Sequence, residues 1–95
     1  MSQPNLRTVS IFRRNYGRRY TDLPVDEISR EFFLIDCNGY AMRPELYDLQ
    51  SGDLARWRQG ERFVEATIDH IVIDNQQLHV VLRDPVLLPE DYFPY

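Results

Sequence analysis

The stretch from Arg62 to Arg83 constrains this chain more than any other. Two runs rich in β-branched and apolar residues, Arg62 to Ile73 and Leu78 to Arg83, flank Asp74-Asn75-Gln76-Gln77. That is the pattern of a long β-hairpin. On the first arm Val64, Ala66, Ile68 and Val72 fall on one face, and Phe63, Thr67, Ile71 and Ile73 on the other. Because both faces are largely apolar, the arm is expected as a central strand covered on two sides or as a strand of a small closed barrel. A chain of 95 residues has room for one domain with a modest core, so this hairpin must supply much of it.

The remaining segments read as shorter elements around it. Leu6 to Arg13 alternates loosely and is β-rich, which predicts a strand, and Asn15-Tyr16-Gly17 predicts a turn after it. Residues 18–23 lack an apolar pattern and read as loop. Pro24, with Asp26 and Glu27 just behind it, suits a helix N-terminus, so Val25 to Glu31 is predicted as a short helix with Val25, Ile28 and Phe32 on one side. Phe32 to Cys37 and Tyr40 to Arg43 flank Asn38-Gly39, the signature of a type I′ hairpin, which Pro44-Glu45 closes. Ser51-Gly52-Asp53 before Leu54-Ala55-Arg56-Trp57 reads as a capped short helix ended by Gly60, with Trp57 docked on the core. The fold expected is α+β: a small, mostly antiparallel sheet of about five strands with one or two short helices. Trp57-Arg58-Gln59-Gly60 leading into the long hairpin looks like part of an SH3-like or OB-like barrel. The domain is expected over residues 1–84. Residues 85–95, with Pro85, Pro89 and Pro94, form a Pro/aromatic tail whose prolines preclude a regular helix or a central strand.

Charge is unevenly distributed. All 11 basic residues are arginine, and the net charge is −4. Residues 1–20 hold Arg7, Arg13, Arg14, Arg18 and Arg19 without an acid, whereas the rest sets six arginines against 15 acids. No run of about 18 apolar residues exists to span a membrane, and no apolar core follows a basic start as in a secretory signal. Cys37 is the only cysteine, which rules out an internal disulfide, fits a reducing compartment and reads as a core filler. A cytoplasmic protein is expected, and its composition fits a bacterial or mobile-element origin.

Motifs for catalysis and cofactors do not appear. There is no phosphate-cradling glycine loop, nucleophile elbow, HExxH or CxxC, and none of the four serines lies in a motif that attaches it to a base. His70 and His79 share a sheet face. A turn centred on Asp74-Asn75 sets them directly opposite, and a loop from Asp74 to Gln77 makes them diagonal neighbours. Two imidazoles are fewer than the three or four ligands a zinc site uses, so they read as ordinary sheet histidines, and no metal or cofactor is expected.

Two segments carry partner-binding chemistry. In Phe12-Arg13-Arg14-Asn15-Tyr16-Gly17-Arg18-Arg19-Tyr20, guanidinium forks interleave with aromatic rings. Arg13, Arg14, Tyr16, Arg18, Arg19 and Tyr20 are candidates for a protein interface or, alternatively, for phosphates and unpaired bases. The competing reading is a solvated loop paired with Asp22, Asp26 or Glu27. In the tail, Tyr92, Phe93 and Tyr95 are stiffly held aromatic anchors, for a partner or for the domain's own sheet. The expectation is a non-catalytic protein-binding module, such as a small adaptor or an inhibitor with a regulatory or anti-defence role, working as a monomer or homodimer. A nucleic-acid-binding protein using segment 12–20 is the alternative. A small-molecule site or an enzyme near Trp57 is the third reading.

Overall fold

A computed structural model describes residues 7–38 and 43–89. The strands are β1 (Arg7–Arg13), β2 (Gly17–Val25), β3 (Glu27–Ile28), β4 (Phe32–Asp36), β5 (Leu54–Gln59), β6 (Arg62–Asp74) and β7 (Gln77–Leu87), with one 3-10 turn at Pro44–Tyr47. All are antiparallel in one sheet of order β2-β1-β5-β6-β7-β4-β3. The α+β expectation is therefore corrected: the described residues form seven strands and no α-helix, curled into a half-barrel. The curling follows from connectivity. β2 and β3 lie at opposite ends of the strand order, yet only Asp26 separates them in the chain. The sheet must bend until its two edges meet there.

The core fills the inner face. Val9 and Ile11 of β1, Phe33 and Ile35 of β4, Ala55 and Trp57 of β5, Val64, Ala66 and Ile68 of β6, and Leu78, Val80 and Leu82 of β7 are buried in one cluster. Cys37 joins it, and its burial, followed by the charge of Asp36, raises the thiol pKa above the ordinary 9.0. Trp57 docks on the core as expected. Among the described residues no helix is long and apolar enough to cross a membrane.

The long hairpin forms with a two-residue turn, Asn75-Gln76, between Asp74 and Gln77. His70 therefore faces Val81, and His79 faces Val72. The two histidines are diagonal neighbours. A bulge between Ile68 and His70 explains the two-sided apolar pattern of β6. Before it the even-numbered residues point inward. Beyond it Ile71 packs on the core, while Val72 is 46% exposed. The apolar residues change faces partway along the strand, so no second layer is needed.

Three local expectations fail for identifiable reasons. Residues 18–23 belong to β2, whose alternation is broken where Thr21 and Asp22 together oppose Ser10. Val9 pairs with Leu23, Ile11 with Tyr20, and Asp22 has φ 52°. The helix at residues 25–31 is replaced by β3 and a tight turn. Ser29 N–H donates to the Phe32 carbonyl (2.8 Å), and Ser29 Oγ accepts from the Glu31 and Phe32 amides. Pro24 stays in β2, opposite Thr8. The helix at residues 54–57 is instead β5. Gly52, at φ +94°, turns the chain, and Leu54-Ala55-Arg56-Trp57 alternates out and in.

The Asn38-Gly39 hairpin falls partly outside the described residues, and β4 takes β3 and β7 as its neighbours. β7 carries the chain through Pro85 to Leu87, so the first residues of the expected tail are strand. β4 covers only Gln77 to Val81 of β7, which leaves Pro85 where a missing N–H breaks no ladder on that side.

Asn75 and Gln76 both hold positive φ, 50° and 62°. This is the backbone of a type I′ turn, and it strains an L-residue such as glutamine. Gln76→Gly is expected to stabilise the protein by roughly 1 kcal/mol, read as a higher urea midpoint with an unchanged slope. An unchanged or lower midpoint would contradict this turn assignment.

Candidate functional site

The arginine/tyrosine segment becomes the β1–β2 hairpin. Its turn spans Arg14 to Tyr16, with the Tyr16 amide donating to the Arg13 carbonyl (3.0 Å) and Asn15 at φ 71°. Hairpin geometry sends its side chains in two directions, so the six candidates there do not form one patch.

Arg13, Arg19 and Tyr20 turn back onto the domain. The Arg13 guanidinium forks onto Asp53, Nε to Oδ1 and Nη2 to Oδ2, both at 3.0 Å. It also reaches the Asp48 carboxylate (3.3 Å) and the Asp48 carbonyl. Arg19 Nη2 donates to Asp48 at 2.9 Å. The Tyr20 hydroxyl donates to the Tyr47 carbonyl (2.8 Å), and the two rings lie 6.2 Å apart. The hairpin is thus fastened to residues 47–53, which enter β5. Arg13 and Arg19 pair with Asp48 and Asp53 rather than with Asp22, Asp26 or Glu27. Arg7 approaches Asp26 only through its backbone carbonyl.

Asp53 is the centre of this clamp. It is 3% exposed and accepts, besides Arg13, the Gln50 amide at 3.0 Å. Its backbone carbonyl accepts from Ile68 N–H of β6, so one residue links hairpin, loop and central strand. Pairing with Asp53 first and Asp48 next raises the Arg13 pKa above its ordinary value, against desolvation acting the other way. Asp48 sits at φ 53° after the 3-10 turn, and its pKa lies below the ordinary 3.8. Arg13 is the main cause, followed by the Gln50 amide group.

Arg14, Tyr16 and Arg18 are exposed, and Tyr16 borders a hollow beside the clamp with Arg13, Arg19 and Gln50. Tyr16 is 82% exposed at the hairpin tip. Arg18 leans over the Phe12 ring, 5.1 Å from its centroid, and contacts Thr21. Tyr92, Phe93 and Tyr95 lie outside the described residues.

The outer face also carries residues that the sequence reading passed over. Arg56 of β5 stands 4.3 Å over the same Phe12 ring and pairs with Glu65 at 2.6 Å. Arg58 donates to the Gly60 carbonyl. With Thr8, Ser10, Thr21 and Phe63 they border a groove of about 230 Å³. The available signal was Arg56 and Arg58 at a spacing of two, which marks one face of a strand but scatters them on a helix.

His70 Nδ1 contacts its neighbour Asp69 at 2.7 Å, and Arg83 contacts the other oxygen of that carboxylate at 3.4 Å. Among the described residues no three His, Cys, Asp or Glu side chains form a group that could hold a metal ion. Comparisons with protein-family models, curated proteins and solved structures find no match.

The clamp carries a pH signature. Asp48 is more acidic in the folded protein than in the unfolded chain, so its stabilisation is present above about pH 3.8. Below that value the unfolded chain takes up the proton first, and the contribution is lost as pH falls towards the folded-state pKa. Asp48→Asn is expected to make the fall of Tm between about pH 4 and pH 2 shallower than in the wild type. Parallel curves would contradict the pairing.

Proposed function

We propose that this chain is a non-catalytic protein-binding module, an adaptor or inhibitor that acts on a larger protein or complex through the β1–β2 hairpin. The observation carrying this reading is an 82% exposed Tyr16 at the tip of a hairpin clamped through Arg13 and Asp53. Tyrosine and arginine are the residue types that dominate binding energy at interfaces, and a tip already held in place loses little freedom on docking. Tyr16 is the anchor, with Arg14 and Arg18 beside it. Tyr92, Phe93 and Tyr95 supply a second aromatic set in the same reading. A thiol kept inside the core suits a reducing, cytoplasmic setting.

The nucleic-acid reading counts Arg13, Arg14, Arg18 and Arg19 as phosphate ligands. Arg13 and Arg19 are engaged by Asp48 and Asp53, and non-specific phosphate binding draws on several neutralising contacts at once. This favours the protein partner.

The test is recovery of the tagged full chain from its native lysate with nuclease present, beside a Tyr16→Ala variant of matched Tm. A stoichiometric protein retained by the wild type, and bound at least about 10-fold more weakly by the variant, is the expected result. Equal retention by both would overturn the hairpin as the binding element. Recovery of nucleic acid alone, lost in high salt, would overturn the protein-binding reading.

A further inference from the structure

The groove on the outer face of β2, β1 and β5 is a second site, separate from the Tyr16 tip. We infer that it receives a carboxylate side chain from an acidic segment of the protein partner. The inference rests on the protein-binding reading for its source of carboxylate, but the site can be tested without it.

Three guanidinium groups border the groove, and each is braced by the domain. Arg56 is set by Glu65 (2.6 Å) and the Phe12 ring (4.3 Å). Arg18 is set by the same ring from the β2 side, and Arg58 by the Gly60 carbonyl (2.9 Å). Guanidinium forks held in this way meet a planar carboxylate with two parallel hydrogen bonds and little further loss of rotamer freedom. Thr8, Ser10 and Thr21 also line the groove, with Ser10 Oγ accepting from the Asp22 amide and Thr21 Oγ1 from Arg18.

Size and charge narrow the occupant. A volume of about 230 Å³ lies below the range of ordinary small-molecule pockets and suits one compact group rather than a nucleotide. Asp22 lines the groove, and Glu65 pairs with Arg56, so the local excess of positive charge is small. A single carboxylate fits that balance better than a run of phosphodiesters, which strengthens with each added cationic contact. The ring of Phe12, the natural platform for a stacked base, already lies under Arg18 and Arg56.

The backbone amides of Ser10, Phe12, Trp57 and Arg58 lie on the strands that border the groove, so they report on occupancy. The experiment is a 1H–15N correlation titration of the full chain at low salt with a blocked hexaglutamate peptide, beside inorganic phosphate and a ten-residue oligothymidylate. The expected result is saturable shifts at Trp57, Ser10, Phe12 and Arg58 with the peptide. These should weaken at least about 10-fold in Arg18→Ala/Arg58→Ala and persist in Tyr16→Ala. No saturable shift, or an equal response from the double variant, overturns the site. Tighter binding of oligothymidylate or phosphate at the same residues overturns the carboxylate assignment. Groove binding alongside Tyr16-independent partner capture would sink the hairpin reading alone. Tyr16-dependent capture with a silent groove would sink this inference alone.

Discussion

The clamp between Arg13 and Asp53 is the contact on which the rest of the arrangement depends. Asp53 is almost wholly buried, and a buried carboxylate is tolerable only where charge and hydrogen bonds meet both oxygens. Arg13 meets both, and the Gln50 amide completes the set. Such a pair adds little net stability relative to a well-packed apolar substitute, but losing one partner strands the other. Its structural effect is to fix where the first hairpin sits against the loop entering β5. Arg19 and Tyr20 reinforce that position through Asp48 and Tyr47. With the base held, Arg14, Tyr16 and Arg18 are exposed around a fixed turn.

The curled sheet follows from a comparable constraint. β2 and β3 occupy opposite edges of the sheet and share a one-residue link at Asp26, whose amide donates to Leu34 and whose carboxylate accepts from Asp36. The bend keeps Val9, Ile11, Phe33, Ile35 and the inward residues of β5 to β7 on one concave core. It also turns the alternate residues of β1, β2 and β5 outward, which is why an arginine-bordered groove forms beside the clamped hairpin. Clamp and groove are consequences of the same alternation, read from its two faces.

Much of the fold was legible where apolar residues alternate over enough length. β1, β4 and the β6–β7 hairpin were, because Val64, Ala66, Ile68, Leu78, Val80 and Leu82 repeat at a spacing of two. β2 was not, because the bulge at Thr21-Asp22 puts Tyr20 and Leu23 on one face at a spacing of three. β5 was not, because four residues from Leu54 fit either period and Ser51-Gly52-Asp53 resembles a cap. Asp53 does accept a backbone amide, but that of Gln50 behind it rather than of a helix ahead. At the site, the segment 12–20 was visible as a composition. Its division into anchoring and outward residues depends on Asp48 and Asp53, about 30 to 40 residues away, and no local pattern encodes that pairing.

The most direct test of the account is a double-mutant cycle between Arg13 and Asp53, each replaced by alanine singly and together, with stability read from urea unfolding. If the clamp organises the hairpin, each single substitution costs about 3 kcal/mol, and the double costs much less than their sum. The expected coupling is about 2 kcal/mol or more. A coupling below about 0.5 kcal/mol would mean that the two residues act independently. The clamped hairpin, and the functional reading built on it, would then be wrong.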